Sequence, residues 1–128
     1  MVARGARILV ADDDTSVRML IELALRRAGH DVALAVDAAG ALEIASDDTQ
    51  SIDLLLTDYT MPGRSGVELA ADVRAMRPDI AVVLMSGWRL DEPVGGVPVQ
   101  PVVLLEKPFD LTALAGAVER ALEARGRT

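Results

Sequence analysis

Short apolar runs alternate along this chain with segments of helical period, and that alternation limits its fold more than any other feature. RILVA at 7–11 is short, β-branched and apolar, the pattern of a buried strand. The segment 16–29 then places Val17, Leu20, Ile21, Ala24, Leu25 and Ala28 on one helical face, with Gly29 as its stop. The pattern repeats: a strand at 31–36, a helix at 37–48 opened by Asp37, and a strand at 52–57 that is apolar almost throughout. A helix at 65–76 follows, with Ser65 and Glu68 at capping-box spacing, then strands at 80–86 and 102–106 and a last helix at 110–124 behind Asp110. Strands separated by helices imply a parallel sheet covered on both faces, and right-handed crossovers leave few topologies.

One interval departs from the rhythm. GWRLDEPVGGVPVQP, between the fourth and fifth strands, carries Pro93, Gly95, Gly96, Pro98 and Pro101. A proline inside a helix costs about 3 kcal/mol, so a regular fourth helix is not expected there, at most a turn around 91–94 and then loop.

The 128 residues suit one domain. Hydrophobic residues make up 51% and aromatic ones only 2%, so the core has to be aliphatic. A net charge of −7 repels phosphate backbones and anionic lipid and argues against nucleic acid or membrane as a direct partner. Without cysteine there is no disulfide, thiolate metal site or thiol nucleophile. The apolar runs are too short to span a bilayer, and the first residues reach acid too early for a signal peptide, so the expectation is a soluble, cytoplasmic protein.

Ligands of such sheets bind beyond the carboxyl ends of the strands. Here those ends carry Asp12, Asp13 and Asp14 after the first strand, Asp58 after the third, Ser86 after the fourth and Lys107 after the fifth. Lys107 is conspicuous because the other twelve of the thirteen basic residues are Arg. Taken singly, these are ordinary residues: acids cap helices, Asp forms turns, Lys closes strands. Taken together they bring several carboxylates, a hydroxyl and an ammonium to one edge. Crowded carboxylates need cations, and Mg²⁺, held by one or two carboxylates plus waters and phosphate oxygens, suits the set. An Asp beside a metal, a Lys and a hydroxyl is suited to accept a phosphoryl group.

ILVADDDTSVR, LLLTDYTMPGRSGVEL, VVLMSG and LLEKPF, in this order and spacing, resemble the receiver domain of two-component response regulators over about residues 6–124. The resemblance implies an α/β, doubly wound, flavodoxin-like domain spanning 1–128 with a five-stranded parallel sheet of order 2-1-3-4-5. It implies Asp58 as phosphoacceptor and Mg²⁺ held by Asp13, Asp58 and the backbone carbonyl of Thr60, with Asp12 acting through a bound water. Ser86 and Lys107 would contact the phosphoryl group. The donor would be a phosphohistidine on a sensor histidine kinase or a histidine phosphotransfer domain. The chain departs from the family at Leu104, where an aromatic switch residue is common, and in its degraded fourth helix. No output domain follows residue 124, and the motifs look most like receivers of hybrid histidine kinases or stand-alone receivers, either a relay station or an excised domain. Trp88, two residues after Ser86, is expected to shield the acyl phosphate from water.

Two other readings use the same residues. Asp12, Asp14 and Ser16 loosely fit the start of a haloacid-dehalogenase-type phosphatase, with Asp12 as nucleophile and Asp14 as general acid, but this leaves Asp58 unexplained. A phosphorylation-independent interaction module would keep the fold and signal by binding alone.

Overall fold

A computed structural model describes residues 5–61, 63–86 and 103–126. Five strands, β1 (Arg7–Ala11), β2 (Asp31–Ala35), β3 (Leu54–Asp58), β4 (Ala81–Ser86) and β5 (Val103–Glu106), form one sheet of order β2-β1-β3-β4-β5. All four pairings are parallel. The described helices are α1 (Thr15–Arg27), α2 (Ala38–Ala45), α3 (Gly66–Met76) and α4 (Leu111–Gly126).

The strands are apolar throughout because successive residues enter two different cores. Leu9, Ala11, Leu55, Val82 and Leu84 pack with α2 and α3, through residues such as Ala41, Leu69 and Val73. Ile8, Val10, Leu54, Leu56, Val83 and Met85 point the other way, onto Ile21 and Leu25 of α1 and Leu114, Ala117 and Val118 of α4. Both layers are almost wholly aliphatic, as the composition requires. Phe109 packs against the α1–α4 layer and Tyr59 against the other.

The helix starts follow from their caps. Asp14 accepts from Val17 N at the start of α1, Asp37 from Gly40 N at α2, and Ser65 from Glu68 N at α3, where Glu68 completes the capping box. The third strand is displaced from the expected 52–57 to Leu54–Asp58. Asp53 leads into it, its side chain accepting the Arg7 N–H at 2.9 Å while its own N–H donates to Arg7 O and its carbonyl accepts from Ala81 N, and Asp58 forms the strand's last rung, opposite Met85. The first helix ends at Arg27, two residues before its expected end at Gly29, whose φ of +92° lets the chain turn while His30 N bonds back to Leu25 O. The second helix is likewise shorter than 37–48. The degraded fourth helix and the turn expected around 91–94 lie outside the described residues.

Candidate functional site

The parallel register brings the ends of β1, β3, β4 and β5 to one edge of the sheet. Asp12 follows β1, and its N–H continues the ladder to Ala35 O at 3.2 Å. Asp58 closes β3, Ser86 closes β4, and Lys107 follows β5, its N–H bonded to Ser86 O at 2.7 Å. Gly66, at the start of α3, lies so close to this edge that a Cβ there would run into the Asp58 carbonyl oxygen. Its N–H donates to Tyr59 O at 2.8 Å, fixing the helix against the strand end.

Lys107 reaches between two carboxylates. Its Nζ lies 3.3 Å from Asp12 Oδ2 and 3.2 Å from Asp58 Oδ2. Both distances are longer than a short charge-assisted bond, as expected of one ammonium shared between two acids. Burial works against the charge on Lys107, but Asp12 and then Asp58 outweigh it and raise its pKa above the ordinary lysine value. Burial pushes the Asp12 carboxyl up, against the Asp14 N–H and Lys107.

The three acids differ in what is left for a ligand. Asp12 is fully buried, with Oδ1 taking the Asp14 N–H at 2.8 Å and Oδ2 facing Lys107. Full burial and this engagement leave Asp12 less open to an approaching phosphorus than Asp58 is. Asp58 keeps its side chain 14% exposed, and its Oδ1 has only a long contact, 3.5 Å, with Thr60 N. Asp13 is exposed, and no hydrogen bond to its carboxylate is found among the described residues. One oxygen from each of Asp12, Asp13 and Asp58 falls within 4.8 Å of the others.

This donor set fits Mg²⁺. The three groups are hard oxygen donors, one ammonium offsets only part of their charge, and a small octahedral ion that keeps several waters can be served by two carboxylates.

Four of the residues expected at the site lie together. Asp12, Asp13, Asp58 and Lys107 converge, and Ser86 is buried at 3% exposure on the neighbouring strand end. Thr60 is exposed beside Asp58. Asp14 stands apart as the cap of α1. Leu104, in the aromatic switch position, is 47% exposed and pairs in register with Leu84. Trp88 lies outside the described residues. Arg18 went unnoticed in the sequence, yet its Nη1 donates to the Asp12 carbonyl at 2.8 Å. With twelve arginines in the chain, nothing marked this one.

Residues 8–119 match the model of the response regulator receiver domain. The chain is 37% identical over 121 residues to the DNA-binding transcriptional regulator NtrC of Azospirillum brasilense; the match covers 94% of this chain but only 25% of that protein. It is 34% identical over 120 residues to the response regulator receiver protein CpdR of Brucella abortus, covering 92% of this chain and 98% of CpdR. Among solved structures, the receiver domain of the hybrid histidine kinase CckA superimposes with a TM-score of 0.76 at 34% identity, covering 91% of this chain and 98% of that one.

Proposed function

Because the chain belongs to the response-regulator receiver family, whose members accept a phosphoryl group in two-component signalling, we propose that Asp58 is its phosphoacceptor. The observation that carries this is Lys107 Nζ held between Asp12 and Asp58, with Asp13 on the same small cluster. Of the three clustered acids, Asp58 combines a position within a strand end, a partly accessible side chain and an oxygen with no short hydrogen bond.

The donor is a phosphohistidine on a sensor histidine kinase or a histidine phosphotransfer domain. Asp58 Oδ1 attacks phosphorus in line with the departing imidazole. The O–P bond forms as the P–N bond breaks, and the electron pair of that bond returns to the ring nitrogen. Asp13, Asp58 and the Thr60 carbonyl would hold Mg²⁺, with Asp12, whose oxygens already take the Asp14 N–H and face Lys107, acting through a water. When bound, the ion neutralises charge on the transferring oxygens. Lys107 turns from the carboxylate oxygen to the incoming phosphoryl group, and the Ser86 hydroxyl orients it. The whole chain, 1–128, acts as one receiver, a signalling module of the cytoplasm rather than a metabolic enzyme. No helix among the described residues is long and apolar enough to cross a membrane.

The test is intact-mass spectrometry after incubation with acetyl phosphate and Mg²⁺. Wild type gains one phosphoryl group and Asp58→Asn gains none. An adduct that persists in Asp58→Asn, or maps to Asp12, refutes the assignment.

A further inference from the structure

Arg18 occupies an electrostatically poor place. It is the fourth residue of α1, its N–H closing the first helical bond to Asp14 O at 2.9 Å, and a cation so near a helix N-terminus opposes the helix dipole. No acidic residue lies within that first turn, the nearest being Asp14, its cap. A local rule broken in this way calls for a gain elsewhere.

The gain lies in the loop between β1 and α1. The guanidinium folds back over the turn, half-buried, with Nη1 on the Asp12 carbonyl at 2.8 Å and Nη2 on Thr15 Oγ1 at 3.4 Å. The Asp12 carbonyl belongs to the peptide plane that joins Asp12 to Asp13. The next plane, between Asp13 and Asp14, is held through the Asp14 N–H by Asp12 Oδ1 at 2.8 Å. Both peptide planes flanking Asp13 are therefore pinned, one by Arg18 and one by Asp12. The Asp13 carboxylate has no hydrogen bond of its own among the described residues, so its reach toward the cluster starts from the Cα–Cβ bond that this backbone fixes.

We propose that Arg18 is a positioning residue of the cation site: by fixing the Asp12–Asp13 peptide it aims the Asp13 carboxylate at Mg²⁺. This rests on the reading above, in which Asp13 is a ligand.

Charge and position predict opposite signs, and that makes the inference testable. Arg18 is a cation near three carboxylates, so its charge alone repels Mg²⁺, and its removal would tighten binding. A residue that orients a ligand has the reverse effect, and losing such a partner commonly weakens metal affinity by tenfold or more. The experiment is calorimetric titration of wild type, Arg18→Met, Arg18→Lys and Asp13→Ala with MgCl₂, with thermal melts in chelator. Arg18→Met is expected to bind Mg²⁺ about tenfold more weakly while still melting cooperatively. Arg18→Lys keeps the charge and one donor and recovers part of the loss. Should Arg18→Met fail to fold, the sign of the change in Arg18→Lys relative to wild type decides in its place. Equal or tighter binding in a folded Arg18→Met overturns the role of Arg18 when Asp13→Ala has lost affinity. Wild-type affinity in Asp13→Ala overturns the ligand assignment and the inference built on it.

Discussion

Lys107 shows how much one side chain can carry at this edge. Its ammonium faces Asp12 and Asp58 in the resting protein, and both raise its pKa against the opposing effect of burial. In the proposed function it would leave Asp58 Oδ2 for a phosphoryl oxygen and so link the modified acid to the β5 end of the sheet. Lys107→Arg tests whether the shape of the cation matters, since a planar fork cannot replace a compact point charge on a flexible stem. Phosphorylation from acetyl phosphate is expected to persist, while the chemical-shift changes caused by beryllofluoride shrink away from the site. Equal distant shifts in wild type and variant would show that any base serves. This residue was legible in the sequence because it is the chain's one lysine, placed where a strand ends. Arg18 was not, because its role depends on a long side chain reaching back to a backbone carbonyl, and residue type says nothing of that reach.

At the scale of elements, α3 is the helix most firmly tied to the site. Gly66 brings its first turn against the backbone of Asp58, and the Ser65–Glu68 capping box closes that turn. At its far end Arg77 donates to the carbonyls of Ala45, Asp47 and Gln50, clasping the loop that leads from α2 to β3. The capping box has a pH signature. The Ser65 N–H, donating to Glu68 Oε1 at 3.0 Å, holds the Glu68 carboxyl below the usual glutamate range, with a further contribution from Arg64. A depressed carboxylate contributes stability that is present above the ordinary glutamate value and is lost as pH falls through the depressed one. Glu68→Ala is therefore expected to melt below wild type at neutral pH, with the gap narrowing on acidification through that window. A gap independent of pH would assign the effect to helix propensity. The caps and the turn glycine at 29 were legible because they act within a few residues. The start of β3 was less so, since Ile52 is apolar and buried like the strand it precedes, and Asp53 bonds through its backbone to Arg7 and Ala81 on the two neighbouring strands.

For the whole molecule, the alternation of strand and helix was enough to foresee a parallel sheet, and the strand order came from resemblance rather than from periodicity. The site's members were legible because each lies at a strand end, where the register of a parallel sheet gathers residues distant in sequence. Their charge has a global effect: three clustered acids oppose one another in a protein already at −7, a repulsion that a bound cation such as the proposed Mg²⁺ would relieve. An ion that binds only the native state adds about 2.7 kcal/mol at a hundred times its dissociation constant. Wild type is expected to melt higher in Mg²⁺ than in chelator, and Asp13→Ala to melt at least as high as wild type in chelator but gain little from the ion. A full Mg²⁺ gain in Asp13→Ala would count against this account. The position of Lys107 also bears on when the site comes into being. It meets Asp12 across 95 residues and Asp58 across 49, and it arrives on the last strand of the sheet. Because a chain is made from its N-terminus, Asp12 and Asp58 are in place in the sequence before Lys107 is added. During synthesis the chain carries Asp58 for some time without the ammonium that faces it in the finished sheet. The finished edge thus reports completion: a molecule able to take the signal is one whose final strand has already docked.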